Sequence, residues 1–159
     1  MKIKKLVLIL ITFLIITKNY ALDAPKNLII KELKKSEKSE KLKTGNFAHL
    51  HYRGWLYNNQ IDVVDFCNAK GKMFDSTLDE GFRDKPGTVT EQFVFQKGKN
   101  NVIIGWELGT EDMIVGSKRC LVIPPIQAYG TRKIGKIIPA NSTLIFEIEL
   151  MRITDKKEK

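Results

Sequence analysis

The residues in this sequence that could carry chemistry are mostly aromatic and branched aliphatic side chains, with single polar groups beside them. They are Tyr52, Phe74, Asp75, Phe93, Phe95, Val102, Ile103, Trp106, Tyr129, Ile137, Ile138 and Phe146. Such a set can form an ordinary core, or it can line an apolar pocket in which a few polar groups orient a ligand. Composition alone leaves both interpretations open.

Motifs of common enzymes are absent from the sequence. It has no glycine-rich phosphate loop, no Gly-x-Ser-x-Gly motif and no pair of acids at a spacing typical of hydrolases. His49 and His51 share one face of a predicted strand, but no cysteine or carboxylate stands near them to complete a metal site. We therefore expect no metal and no cofactor.

Length and composition predict one folded domain. The chain has 159 residues, of which 43% are hydrophobic, so it can bury one ordinary core. Its 2 cysteines, Cys67 and Cys120, are too few for a disulfide-dense scaffold or a four-ligand zinc site. They could form one bridge in an oxidising compartment.

The first residues have the pattern of a secretory signal peptide. Lys2, Lys4 and Lys5 precede an apolar run over residues 6–16, which Ala21 follows as the expected cleavage position. A membrane anchor is the alternative, but a span needs roughly 18 to 20 apolar residues. We expect export, to the periplasm if the source is a bacterium, and no stable membrane insertion after cleavage.

The charge pattern argues against nucleic-acid binding. Loss of the leader takes four lysines from the formal +9 and leaves +5. The lysines of residues 31–43 alternate with glutamates, so they do not form a surface of one sign.

The pattern of apolar residues predicts several strands and one helix. Strands are expected at 28–30, 47–56, 93–95, 120–123 and 143–151, and a helix at 102–113. Grouped strands with a single helix indicate an α+β fold, in which the helix lies on an antiparallel sheet. Residues 31–44 are expected to be a polar connection.

Several ordered motifs resemble those of the FKBP-type peptidyl-prolyl cis-trans isomerases over about residues 27–153. The matching segments are His51-Tyr52-Arg53-Gly54, Phe74-Asp75-Ser76, Val102-Ile103-Ile104-Gly105-Trp106, Pro125-Ile126-Gln127-Ala128-Tyr129-Gly130, Ile137-Ile138-Pro139 and Thr143-Leu144-Ile145-Phe146. The resemblance implies a five-stranded, twisted antiparallel sheet wrapped around one short helix. It divides the chain into a signal peptide at 1–21, a strand and polar connection at 22–44, the isomerase domain at 45–153 and a charged tail at 154–159.

The resemblance also implies a site between helix and sheet, with Trp106 as its floor. Its implied catalytic residues are Tyr52, Asp75 and Tyr129, where Asp75 orients other groups and the Tyr129 hydroxyl and Ile103 amide donate to substrate carbonyls. The other implied substrate-binding residues are Phe74, Phe93, Phe95, Val102, Ile137, Ile138 and Phe146.

The activity that the resemblance implies is prolyl cis-trans isomerisation, which needs no nucleophile. The expected partners are proline-containing peptides and unfolded exported proteins, together with macrolide inhibitors, and the chain is expected to be a monomer. The alternative is a module that binds prolyl peptides as a holdase chaperone without turnover.

The chain departs from compact family members in two loops. An apolar insertion at 57–73 must pack somewhere, and an expansion at 77–92 leaves open whether Arg83 or no residue pairs with Asp75. Ile134 occupies a loop tip where the family often has His-Pro, which bears on substrate preference.

We further predict a disulfide between Cys67 and Cys120. If Leu121 faces the helix, alternation along the strand turns Cys120 to the outer face of the sheet. The insertion that contains Cys67 needs apolar cover, and that outer face is the nearest free surface. Two unpaired thiols are the alternative.

Overall fold

The computed structural model describes residues 23–61, 63–79, 81–82 and 91–156, so the predicted signal peptide and Arg83 lie outside the described residues. Across these ranges the fold consists of β-strands and one short α-helix. The elements are β1 Ile29–Lys34, β2 Phe47–Tyr57, β3 Lys70–Ser76, β4 Phe93–Gln96, α1 Ile104–Gly109, β5 Lys118–Ile123 and β6 Leu144–Thr154. This α+β architecture confirms the predicted fold class.

All strand pairs in the sheet are antiparallel, in the order β1, β5, β6, β2 and β3. The short strand β4 pairs with the first part of β2, over Phe47–Leu50, whereas β3 pairs with its later part. The other edge of β2 pairs with β6 over Phe47–Leu56. The sheet therefore has the five positions that were expected, and the described strands number six because two short ones share the last position.

The helix α1 is shorter than the predicted 102–113. Ile103 has an extended backbone with φ −61° and ψ 150°, so the helix begins only after it. Asp112 has a φ of 52°, a left-handed conformation that prevents continuation of the helix. The helix itself ends at Gly109, three residues before Asp112. The apolar pattern encodes neither of these backbone conformations.

Two glycines let α1 lie close to β5. A Cβ atom on Gly105 would lie 2.4 Å from the side chain of Ile123, and one on Gly109 would lie 2.5 Å from that of Leu121. Any side chain at either position would push the helix away from the sheet. This close approach holds Trp106, which lies between the two glycines, against the core.

The sheet has an apolar cluster on each face. On the helix side, Trp106 packs with strand residues that include Leu50, Tyr52, Leu121 and Phe146. On the outer side, a second cluster consists of Trp55, Cys67, Ala69, Cys120, Val122 and Ile145, with Ile29, Tyr57, Val63, Phe66 and Met73 packed against it. The insertion thus covers the outer face, as predicted.

Cys67 of the insertion and Cys120 of β5 form a disulfide, with their sulfur atoms 2.10 Å apart. Leu121 lies in the helix-side cluster and Cys120 in the outer one, so the predicted alternation and pairing are both present. Val64 is an exception among the apolar residues of the insertion, because it is fully exposed.

Strand structure occurs in two segments where no strand was predicted, the polar connection and the insertion. Strand β1 continues through the polar residues to Lys34, where it pairs with β5, and β3 begins inside the predicted insertion at Lys70. In both segments, the backbone hydrogen bonds of a sheet edge stabilise residues whose side chains have low strand propensity.

Candidate functional site

A pocket of about 170 Å³ opens between α1 and the sheet. Its lining is aromatic and aliphatic, with a few polar side chains. The lining residues are Tyr52, Phe74, Asp75, Phe93, Asn101, Val102, Ile103, Trp106, Tyr129 and Phe146. The structure therefore brings together residues from β2, β3, β4, the segment before α1, α1 itself, the segment after β5, and β6.

The floor of the pocket is the indole of Trp106, which is 4% exposed. Its ring centroid lies 5.0 Å from that of Tyr52, 5.4 Å from Phe93 and 5.2 Å from Phe146. Each of these rings meets the indole edge to face, an arrangement that aromatic pairs favour. The floor and walls are thus fixed before any ligand arrives.

The carboxylate of Asp75 is held at the polar edge of the pocket. The Tyr52 hydroxyl donates a hydrogen bond of 2.5 Å to its Oδ2, and the Ser76 backbone amide donates one of 2.9 Å to its Oδ1. Asp75 therefore orients Tyr52 and also caps local backbone.

Tyr129 provides a hydrogen-bond donor at the pocket. Burial, and then the negative charge of Asp75, raise the pKa of its hydroxyl above the ordinary value. The group therefore stays protonated and can donate a hydrogen bond to a carbonyl in the pocket.

The rim beside the floor is formed by Val102 and Ile103. The backbone of Ile103 is extended, and its carbonyl accepts the amide of Trp106 at 2.9 Å. The Ile103 amide itself has no acceptor within the described residues, so it is available to a carbonyl in the pocket.

Three of the predicted binding residues do not line this pocket. Phe95 is 4% exposed and lies behind Trp106, with ring centroids 6.2 Å apart. Ile138 is buried in the helix-side cluster, whereas the neighbouring Ile137 is 43% exposed. Phe95 and Ile138 therefore belong to the core beside the pocket and do not line it.

Arg53 forms an ion pair with Asp79, in the loop that follows Asp75. Its Nε donates a hydrogen bond of 2.6 Å to Asp79, and Ser76 donates to the same carboxylate. These hydrogen bonds, with that from Arg53 dominant, lower the pKa of Asp79. The loop that follows Asp75 is anchored at its start by this pair.

Sequence reasoning missed Asn101 as a lining residue. It immediately precedes the Val102-Ile103 motif, so adjacency in the chain was the available signal.

The chain matches the model of a known protein family. Residues 38–151 match the family model described as FKBP-type peptidyl-prolyl cis-trans isomerase. The chain belongs to this family, which confirms the resemblance that its motifs suggested.

Named relatives come from fungi and from a bacterium. The chain is 39% identical over 127 residues to FK506-binding protein 2B of Rhizopus delemar, covering 80% of this chain and 51% of that protein. It is 39% identical to the FK506-binding protein of Neisseria meningitidis over 80% of this chain and 96% of that protein. FK506-binding protein 2 of Candida glabrata is 36% identical over 91% of this chain and 93% of its own length. The chain thus spans about half the length of the Rhizopus relative.

Two structural features are absent from the described residues. No described helix is long and apolar enough to cross a membrane. No group of three or more His, Cys, Asp or Glu side chains that could hold a metal ion occurs in the same part of the chain.

Proposed function

We propose that this protein catalyses cis-trans isomerisation of prolyl peptide bonds by binding the proline in the apolar pocket. The observation that carries the proposal is the Trp106 floor, enclosed edge to face by Tyr52, Phe93 and Phe146. Membership of the isomerase family supports it.

The physical demand of the reaction fits an apolar site. Resonance gives the peptide C–N bond a rotation barrier of about 18–20 kcal/mol. In the twisted transition state this resonance is lost and the amide becomes less polar, so an apolar pocket favours it over the planar ground state. A rate increase of roughly 10⁵-fold requires about 7 kcal/mol, which desolvation and oriented donors can supply.

The polar groups of the site orient the peptide. The amide of Ile103 and the hydroxyl of Tyr129 donate to carbonyls on the two sides of the prolyl ring. Asp75 holds the Tyr52 wall in place, and no step in this mechanism transfers a proton. Asn101 extends the polar edge next to Val102.

We also propose that the protein binds FK506. The names of the relatives state this property for them. In this chain, the aromatic enclosure and the two donors would receive the apolar ring and carbonyls of such a macrolide.

The proposed setting is an exported one, with unfolded exported proteins as substrates. The disulfide between Cys67 and Cys120 supports it, because such bonds persist in oxidising compartments such as the periplasm. The apolar leader in the sequence agrees with the same setting.

The test is refolding of an unfolded protein whose slow phase is limited by proline isomerisation. We expect small, substoichiometric amounts of this protein to accelerate that phase, and FK506 to abolish the effect. A holdase would bind the unfolded chain only at stoichiometric amounts and would leave the slow phase unchanged or retard it. Either of these results would overturn the proposal of catalysis.

A further inference from the structure

A buried lysine lies beneath the loop that forms the pocket rim. Lys97 directly follows β4 and is only 4% exposed, which is unusual for a lysine unless it is paired. Its Nζ lies 2.7 Å from Oε2 of Glu111 and 3.5 Å from Oε2 of Glu107. It also donates a hydrogen bond to the backbone carbonyl of Glu107. The end of β4 is thus tied to α1 and to the turn that follows it.

The Glu107 carboxylate in turn holds the backbone of the loop. The amide of Gly98 donates to its Oε2 at 2.9 Å, and that of Asn100 donates to its Oε1 at 3.0 Å. Both loop residues have a positive φ, 82° for Gly98 and 53° for Asn100. Asn adopts this left-handed conformation more readily than other non-glycine residues, and the hydrogen bond to Glu107 holds Asn100 in it.

This loop leads without interruption into Asn101, Val102 and Ile103, which line the pocket. Glu107 is the immediate neighbour of Trp106, the pocket floor. One set of charged groups therefore joins the segment that carries the rim to the helix that carries the floor.

We propose that Lys97, Glu107 and Glu111 are positioning residues that hold the pocket rim in its substrate-binding geometry. They contact no substrate and act through Asn101, Val102 and Ile103. The inference rests on the proposed isomerase function, and it assigns to these charged residues a role in affinity.

A purely structural role predicts a different kinetic result. Removal of one member of a buried ion cluster leaves an uncompensated charge and destabilises the fold. Loss of folded protein lowers the apparent kcat and leaves KM unchanged. A loosened rim instead reduces the fraction of molecules competent to bind, which raises KM in inverse proportion to that fraction.

The experiment measures kcat and KM for a prolyl peptide with Lys97→Met, Glu107→Gln and the double variant. The matched control is Lys99→Met, which changes an exposed lysine in the same loop. The double variant removes both buried charges, so it should be more stable than the single variants. The pocket rim should still lack the contacts through which Lys97 and Glu107 hold it. We expect KM to rise about fivefold or more in the double variant, with kcat changed by less than about twofold. The control should match the wild type.

Amide hydrogen exchange gives a second readout that does not depend on turnover. Exchange at Gly98 and Asn100 should accelerate in the double variant, while amides of the central strands β2 and β6 keep wild-type rates. An unchanged KM in a folded double variant, or unchanged exchange at both amides, would overturn the positioning role. An inactive wild type would overturn the proposed function, and the exchange measurement would then still decide whether the cluster holds the loop.

Discussion

The Tyr52 hydroxyl and the Asp75 carboxylate are joined by a hydrogen bond of 2.5 Å at the edge of the pocket. The Ser76 amide donates a hydrogen bond of 2.9 Å to the other oxygen of the same carboxylate. Asp75 is therefore fixed as an acceptor that orients an aromatic wall. The geometry agrees with a reaction that proceeds by desolvation and orientation and that transfers no proton to the enzyme.

Tyr129→Phe should lower kcat/KM with little change in melting temperature. The ring that packs at the mouth is retained, and only the donor to the substrate is lost. A hydrogen bond of this kind contributes about 1 kcal/mol, which corresponds to roughly a fivefold loss of activity. Peptide isomerisation and thermal denaturation measure the two effects. Tyr57→Phe, the same change on the outer face, is the control, and equal losses in both variants would refute the assignment of Tyr129.

The contribution of the Tyr129 hydroxyl should persist to alkaline pH. Burial and the Asp75 charge raise its pKa above the ordinary value of 10.0, so the proton is still bound when a free tyrosine would have lost it. The contribution of the protonated Tyr129 hydroxyl to the free energy of unfolding is fully present below pH 10.0. It is lost as the pH rises through the raised pKa. The measurement is the activity ratio of wild type to Tyr129→Phe as a function of pH. A ratio that falls towards one while the pH is still below 10.0 would contradict the raised pKa.

Substitution of the two tryptophans should have different effects on catalysis and on stability. Trp106→Ala removes the pocket floor and a nearly buried core side chain, so it should abolish isomerisation and destabilise the fold by about 3–5 kcal/mol. Trp55→Ala truncates a tryptophan that is 9% exposed in the outer cluster. It should lower the free energy of unfolding and leave kcat/KM of the folded protein intact. Chemical denaturation and the peptide assay report on both variants, and wild-type activity in Trp106→Ala would show that the pocket is misassigned.

Loss of the disulfide should weaken the fold without impairing the pocket. Cys67 and Cys120 are 53 residues apart in the chain and lie on the sheet face opposite α1. Removal of such a link costs about 4 kcal/mol in the chain-entropy model. Denaturant unfolding of Cys67→Ala/Cys120→Ala, compared with the oxidised wild type, measures this cost. The expected activity at moderate temperature is that of the wild type, and equal unfolding midpoints would contradict the prediction.

Much of the site was predictable because its residues lie in short motifs. Phe74-Asp75 and Val102-Ile103 each place two neighbouring residues at the pocket, and Tyr52 and Trp106 are large side chains that a sheet and a helix bury together. Alternation along β5 also predicted that Cys120 faces away from the helix if Leu121 faces it, as the structure shows.

The features that could not be predicted depend on contacts between distant parts of the chain. In the sequence, Lys97 resembles any exposed loop lysine, and only the approach of Glu107 and Glu111 makes its burial possible. Strand β3 contains Lys70, Gly71 and Lys72, which have weak strand propensity, and it forms because the edge of β2 offers hydrogen bonds. Neither feature is encoded locally.

The central claim is that the pocket itself accelerates rotation about a prolyl bond. NMR exchange spectroscopy on a short peptide with one proline measures the interconversion of its cis and trans forms directly. Without catalysis this exchange takes tens to hundreds of seconds, too slow to give cross-peaks between the two forms. We predict that catalytic amounts of the protein produce these cross-peaks and that FK506 removes them. Spectra without exchange cross-peaks, in the presence of folded protein, would contradict the account.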